Sequence, residues 1–229
     1  MTDVTARAAS TSTEPGPDLQ EPATGAAPVR LRNPRGQGDR LREELIEAAV
    51  QLLSDAPHPD DVSIRAIARA AGVSPTAAYR HFSDRDDLVC EAVGACFGEF
   101  AAEMLERTAG MDDPFERLRE TGRAYLHFAT AEHGRYRVLF SNPVPMSSDL
   151  VADDSAGTAA FTQLIDIVQA CLDAGAPTRT DDAVFLSFQV WSWIHGIVDL
   201  RITHAKMDWP DADAMFDEVP VALGLVRPT

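Results

Sequence analysis

Cysteine is scarce: Cys90, Cys96 and Cys171 are the only three among 229 residues. An odd number without tight metal-type spacing excludes a disulfide framework and a zinc finger, and it fits the cytoplasm. Residues 1–28 lack the basic stretch, apolar run and small-residue cleavage site of a signal peptide. Thr, Ser, Pro, Ala and Gly dominate that segment, with scarcely any large apolar side chains to offset the entropy of ordering, so it reads as a disordered tail. A membrane span is missing as well. The longest apolar stretch, Ala183 to Ile202, has the length, but Gln189, His195, Asp199 and Arg201 interrupt it on several faces and mark it as a buried helix. No segment alternates with period two, no internal repeat recurs, and no glycine-rich phosphate loop or nucleophile elbow is present. What remains, at 45% hydrophobic content, is a soluble chain with material for a substantial core, as one large domain or two small ones.

Basic charge is also in deficit. Lys and Arg number 20 against 36 Asp and Glu, a net charge of −16 that by itself argues against a partner as acidic as DNA. The deficit is uneven along the chain. Residues 1–28 hold one Arg against four acids, residues 29–85 nine Arg against eight acids, and residues 86–229 ten basic against twenty-four acidic groups. Arg30, Arg32, Arg35, Arg40 and Arg42 gather at the entry to the first helix with only Asp39 among them, so a positive lobe can exist on an acidic molecule.

After Gly38, the residues Leu41, Leu45, Ile46, Ala49, Val50 and Leu53 recur at three and four, which predicts an amphipathic helix with Asp39 as N-cap and an end before Pro57. A short second helix starts at Ser63, a good N-cap, and runs through Ile64, Ile67, Ala68 and Ala71 to a stop at Gly72. Ser74 caps a third, with Pro75 at its first position, which carries Thr76, Ala77, Ala78, Tyr79, Arg80, His81 and Phe82. Two short helices joined by a glycine turn make a helix-turn-helix. Further helices are expected at Asp84–Ala109, Asp113–Glu132, Arg135–Phe140, Ser155–Ala174, Thr180–Ala205 and Pro210–Leu225. The breaks fall at Gly110, Gly134, Asn142–Met146, Gly175–Pro177 and Trp209–Pro210. The fold class is all-α.

Residues Ser63 to Leu88, SIRAIARAAGVSPTAAYRHFSDRDDL, closely resemble the DNA-binding signature of the TetR (tetracycline-repressor) family. Tyr79, His81 and Phe82 hold the family's characteristic places, Arg85 sits where a basic residue is usual, and the resemblance covers about residues 40–90. Weaker similarity runs through Tyr125 to Phe140 and Trp193-Ile194-His195-Gly196, which resemble a C-terminal subtype with a Trp-His-Gly motif, here with Ile between Trp and His. The resemblance implies a tail with an Arg-rich end over residues 1–38, a three-helix DNA-binding domain over 39–86, and a helical ligand-binding and dimerisation domain over 87–229. It implies a transcriptional regulator, most simply a repressor that binds a palindromic operator in double-stranded DNA as a homodimer and is released by a small hydrophobic or amphipathic effector. An activator, or a regulator that ignores ligands, shares the same signature. No enzyme activity, cofactor or metal is expected.

A recognition helix needs small side chains where it approaches the groove, polar groups that reach bases, and anchors to the phosphates on either side. Ala77 and Ala78 permit close approach; Thr76 offers a methyl and a hydroxyl; Arg80 can bind guanine or a phosphate. By the resemblance Tyr79 and His81 are phosphate anchors, and Phe82 belongs to the core. Arg40, Ser63, Ser74 and Arg85 complete the expected DNA-binding set by charge or by helix-start amides. Arg30, Arg32 and Arg35 fit both a flexible arm in the minor groove and a solvated linker. Two competing readings are an ordinary small helical bundle, since this geometry also occurs in proteins that never touch DNA, and an all-α enzyme whose helix-turn-helix is a vestige.

Apolar groups surround most of the segment Thr180 to Ala205, so it must be covered on both sides, and by the resemblance the last two helices meet a second subunit, with Gly196 allowing close approach. Phe97, Phe100, Met104, Tyr125, Phe128, Phe140, Trp191 and His195 are candidates for lining an effector pocket, although such residues at helical spacing ordinarily fill a bundle core and only concavity separates the two roles. His127 and His133 stand six apart, His195 and His204 nine apart, and neither spacing puts two metal ligands on one helix face. The pairs Asp112–Asp113, Asp153–Asp154 and Asp181–Asp182 stand at helix starts, where carboxylates cap amides.

Overall fold

The computed structural model describes residues 38–141 and 156–228, and every α-helix, turn and 3-10 element among them belongs to one compact helical unit. The arginines Arg30, Arg32 and Arg35, the break at Asn142–Met146, the Asp153–Asp154 pair and the expected helix start at Ser155 lie outside the described residues.

Helix α1 (Gly38–Asp55) buries Leu45, Ala49, Val50 and Leu53, one stripe at helical spacing. It begins two residues earlier than a cap at Asp39 implies, so Asp39 stands in the first turn, where its charge still faces the positive end of the helix. A single 3-10 turn follows at Pro59–Asp61, which the sequence pattern did not signal. Helix α2 (Ile64–Ala70) is capped by Ser63, whose hydroxyl oxygen accepts from the Ala66 amide at 3.2 Å. Its end is a left-handed turn: Gly72 has φ +69°, and the Val73 amide reaches back to the Ala68 carbonyl at 2.9 Å.

Helix α3 (Pro75–Ala78) is capped by Ser74, which accepts from the Ala77 amide at 3.3 Å. It is shorter than the sequence implied. Beyond Ala78 the chain tightens, with the Arg80 amide bonded to the Ala77 carbonyl at 3.3 Å and the His81 amide to the Ala78 carbonyl at 2.9 Å, a 3-10 pattern that carries the chain to Phe82. Helix α4 (Arg85–Thr108) then runs for about 36 Å at 1.5 Å per residue. Asp84 caps it, accepting from the Asp87 amide at 2.9 Å. The boundary expected at residue 86 therefore falls inside one continuous helix.

The body continues with α5 (Pro114–Ala131), α6 (His133–Ser141), α7 (Ala156–Asp173), α8 (Ala183–Thr203) and α9 (Ala212–Leu223). Asp113, Asp182 and Asp211 cap α5, α8 and α9 through amides three or fewer residues on. The break expected at Gly134 lies instead at Glu132, where φ −111° and ψ 45° leave the helical region. Gly134 is inside α6, and its role is close approach: a Cβ there would stand 2.8 Å from the Cβ of Ser54 on α1.

Helix α8 departs from the expectation of an all-round buried helix. It is the one described helix long and apolar enough to cross a membrane by length and composition. Leu186, Val190, Ile194, Ile197 and Val198 form its buried stripe, whereas Phe185, Trp193 and Leu200 are 53%, 47% and 48% exposed. The buried side chains otherwise form one continuous core from Leu45 on α1 to Phe216 on α9.

At the α5–α9 contact, Gly122 lies against the fully buried ring of Phe216, and an added Cβ would stand 1.8 Å from Cε1. Gly122→Ala should lower stability by about 1–3 kcal/mol, the usual cost of overpacking, as read from chemical denaturation. The control Gly98→Ala, at an exposed helix position with nothing within 4 Å, should be neutral or stabilising. Equal effects at the two sites would contradict the packing described.

Candidate nucleic-acid interface and ligand cavity

The two short helices and the turns that follow α3 present one polar surface. Ser63, Ser74, Thr76, Tyr79 and Arg80 are exposed, Ala77 and His81 half-buried, while Ala78 and Phe82 face the core. Ala78 was expected beside Ala77 at the groove; its burial assigns it to packing between α2 and α3 instead. Tyr79 is 52% exposed, a large ring held outward at the point where the helix tightens. Phe82 is covered on one side by the guanidinium of Arg42, 5.3 Å from its ring centroid.

The arginines divide into engaged and free. Arg40 pairs with Glu44 at 3.1 Å and Arg42 with Glu91 at 2.6 Å. Arg85, expected as a phosphate anchor, is turned inward: its Nε donates to the Val62 carbonyl at 2.7 Å and a terminal nitrogen to the Pro59 carbonyl at 2.5 Å. It pins the 3-10 turn to the start of α4. Arg65, Arg69 and Arg80 are exposed and have no side-chain partner among the described residues. Arg65 and Arg69 were missed in the sequence, although their spacing of four on the polar side of α2, opposite Ile64, Ile67 and Ala68, is the signal that identifies them.

A cavity of about 830 Å³ lies between α4, α5, α7 and α8. Phe97, Phe100, Met104, Tyr125, Phe140 and Trp191 line it, six of the eight candidates named from sequence. The other two stand behind its wall. Phe128 packs edge-on against Phe100 with centroids 5.2 Å apart, and His195 stands against the hydroxyl of Tyr125. Arg117, Thr121, Gln163, Asp166 and Phe161 also line the cavity and carried no periodicity signal that would separate them from surface or core.

His195 Nδ1 lies 3.0 Å from the Tyr125 hydroxyl and 2.9 Å from that of Tyr136. With its proton on Nε2, the Nδ1 lone pair accepts from one hydroxyl, that of Tyr136, while the Tyr125 hydroxyl donates to Tyr136. Burial holds the His195 imidazole below its ordinary range, partly opposed by the Asp199 carboxylate, and the same burial pushes Tyr136 up to about 12. The three rings therefore form a neutral network at the cavity wall, with Tyr125 lining the cavity and Tyr136 and His195 behind it.

Helix α6 connects this region to α1. Arg135 is bonded to Glu99 on α4 and to Glu47 on α1 at 3.4 Å. Arg137 donates to the carbonyls of Ala56 and Pro57 at 2.7 and 3.1 Å, closing the C-terminal end of α1. On the same short helix, Tyr136 bonds His195, and Leu139 and Phe140 face the cavity.

Comparison with known proteins gives two family matches. Residues 45–92 match the family model for bacterial regulatory proteins of the tetR family, and residues 118–223 match a tetracyclin repressor-like C-terminal domain. The second match includes Trp193 to Gly196 without assigning a Trp-His-Gly subtype. An uncharacterized HTH-type transcriptional regulator of Haemophilus influenzae is 44% identical over 57 residues; the alignment covers 25% of this chain and 28% of that protein, so the chain spans little more than a quarter of that relative. The solved structure of a protein of unknown function from Rhodococcus sp. RHA1 matches with TM-score 0.66 at 25% identity, over 80% of this chain and 93% of that one. A TetR family transcription regulator from Marinobacter aquaeolei VT8 matches with TM-score 0.65 at 19% identity, over 82% and 98%. These structural likenesses concern the fold.

The buried network has a pH signature. Because the folded state holds His195 below its ordinary range, the unfolded chain takes up the proton first as pH falls, so this contribution to stability is present above the ordinary imidazole value and lost as pH drops toward the folded one. Melting temperature should therefore fall between about pH 7.5 and about pH 5.5, and His195→Gln should fall less over the same interval. An equal decline in both proteins would remove His195 from that role.

Proposed function

Because this chain belongs to the tetR family of bacterial regulatory proteins, we propose that it is a sequence-specific DNA-binding transcriptional regulator, working in the cytoplasm as a homodimer on a palindromic operator. Residues 39–86 read the DNA, and residues 87–229 hold a small effector and the second subunit, with α4 common to both. The observation that carries this reading is the outward surface at α2 and α3: on a chain of net charge −16, the free guanidinium groups of Arg65, Arg69 and Arg80 cluster on one short motif. A surface of that kind attracts phosphate locally even when the whole molecule repels it.

Each side chain has a role that follows from its position. Thr76, Ala77 and Arg80 face the major groove, Tyr79 and His81 bind phosphate, and the Ser63 and Ser74 helix starts add contacts to the flanking backbone. Arg40 contributes charge through its exposed end, and Arg85 supports the site from within rather than by touching DNA. The exposed apolar side chains Phe185, Trp193 and Leu200 of α8, with Val221 of α9, favour burial against the same face of another copy. At Gly196 an added Cβ would meet nothing within the protomer, which leaves room for that approach. Occupation of the cavity acts by favouring one spacing of the two DNA-binding units over another, through α6 and its bonds to α1. Release of DNA on effector binding is the mode of action we propose, and with it the role of a repressor.

Fluorescence anisotropy against duplexes that the protein selects from a random pool tests the assignment. Arg80→Ala should weaken binding by about 1–3 kcal/mol, the scale of a good base contact, and relax preference at one position of each half-site. Arg65→Ala and Arg69→Ala should weaken all duplexes alike and reduce the slope of log affinity against log salt by about one each. Unchanged affinity and salt slope in all three variants would contradict the proposed interface.

A further inference from the structure

The cavity follows α4, and Arg117 is the one basic residue among the described residues that line it, with Glu91 toward the opposite end and Asp166 on α7 as the acids. Its wall follows α4 from Cys90 and Glu91 through Phe97 and Met104 to Thr108, a run of about 27 Å at 1.5 Å per residue. Apolar groups predominate in the lining: the rings of Phe97 and Phe140 meet at 5.9 Å and those of Phe161 and Trp191 at 5.6 Å, and Met104 and Leu118 line it beside them. Arg117 also lines the wall, on α5 beside Leu118.

The Arg117 guanidinium is half-buried and has neither a hydrogen bond nor an ion pair among the described residues. No acid among the described residues forms an ion pair with it. Asp113, one turn away, is taken by Arg227 at 2.5 Å and by the α5 amides. Glu91 is paired with Arg42. Asp166, on α7, is exposed to water and makes no ion pair with Arg117. The neighbouring Cys171 thiol is pushed by burial up to about 12, so it is uncharged. Gln163, half-buried on α7 and also lining the cavity, likewise has no side-chain partner among the described residues. A guanidinium withdrawn from bulk water and left unpaired is a receptor for a carboxylate or similar anion, which it binds through two parallel N–H donors.

Building on the effector-sensing role given above, we propose that the cavity takes a long amphiphile with an anionic head, the head bound by Arg117 and the chain lying along α4 toward Phe97, Phe140 and Trp191. A neutral or cationic amphiphile of the same length gains the apolar contacts and lacks the charge-assisted bonds.

Calorimetric titration of the full-length protein with dodecanoate, dodecan-1-ol and dodecyltrimethylammonium, each below its micellar concentration, separates these cases. Dodecanoate should bind roughly tenfold or more tightly than either of the others, as a charge-assisted hydrogen-bonded pair requires. Arg117→Gln should abolish that preference while holding dodecan-1-ol affinity within about twofold, which also shows that the variant is folded, and Arg117→Lys should restore part of it. Equal binding of acid and alcohol, tighter binding of the ammonium, no binding of dodecanoate, or a preference that survives in Arg117→Gln would overturn the proposal. Failure of the sensing role itself looks different: dodecanoate then binds through Arg117 yet leaves affinity for the selected duplex unmoved.

Discussion

The arrangement rests on the packing of α1, which serves two neighbours with one apolar stripe. Leu45, Ala49, Val50 and Leu53 belong to the same continuous core as Ile67 and Phe82 of the short helices and as Leu88 and Val93 of α4. Arg135 and Arg137 then fasten α6 to the outer side and the end of α1, and Gly134 lets the two helices approach so closely that a single methyl would collide. A core packed to this density responds to displacement by shifting whole elements rather than by absorbing the strain locally. The short helices therefore take their position from the body, and α6, which also carries Tyr136 and Phe140 at the cavity, is the element common to both ends.

Charge is partitioned by the same economy. The chain carries a large excess of acid, but near the short helices the arginines are sorted by what they touch. Arg42 and Arg85 are consumed in holding Phe82 and the 3-10 turn, and Arg40 is partly neutralised by Glu44. Arg65, Arg69 and Arg80 are left to solvent on a surface where the nearest regular elements are too short to supply other charge. In the cavity Arg117 has no ion-pair partner among the described residues, while Asp113 is bound by Arg227 and Glu91 by Arg42.

Local chemistry was legible in the sequence, and tertiary chemistry was not. Ser63, Ser74, Asp84, Asp113 and Asp182 cap helices where their spacing to the next apolar run says they should, because a cap needs only amides two or three residues away. Gly72 was readable for the same reason. Gly134 was misread as a break because a glycine that stops a helix and one that admits a neighbouring helix look alike in one dimension. The inward bonds of Arg85 were not legible because the carbonyls that hold it come from more than twenty residues upstream. The end of α3 was overextended, since the change from four-residue to three-residue bonding at Tyr79 leaves no compositional mark. Six aromatic and methionine positions do line the cavity, yet only the concavity distinguishes them from Phe128, which has the same chemistry and lies one layer behind.

All of this concerns one protomer, whereas the proposed role needs two copies held at the repeat of the double helix. Pulsed electron resonance between spin labels at Thr76→Cys, introduced with Cys90→Ser because Cys90 is the exposed native thiol, measures that spacing directly. For the effector-free protein the account predicts one narrow distance distribution centred at about 34–36 Å, the separation of successive major grooves. No dipolar coupling at all, or a broad spread without a peak near that distance, would contradict it.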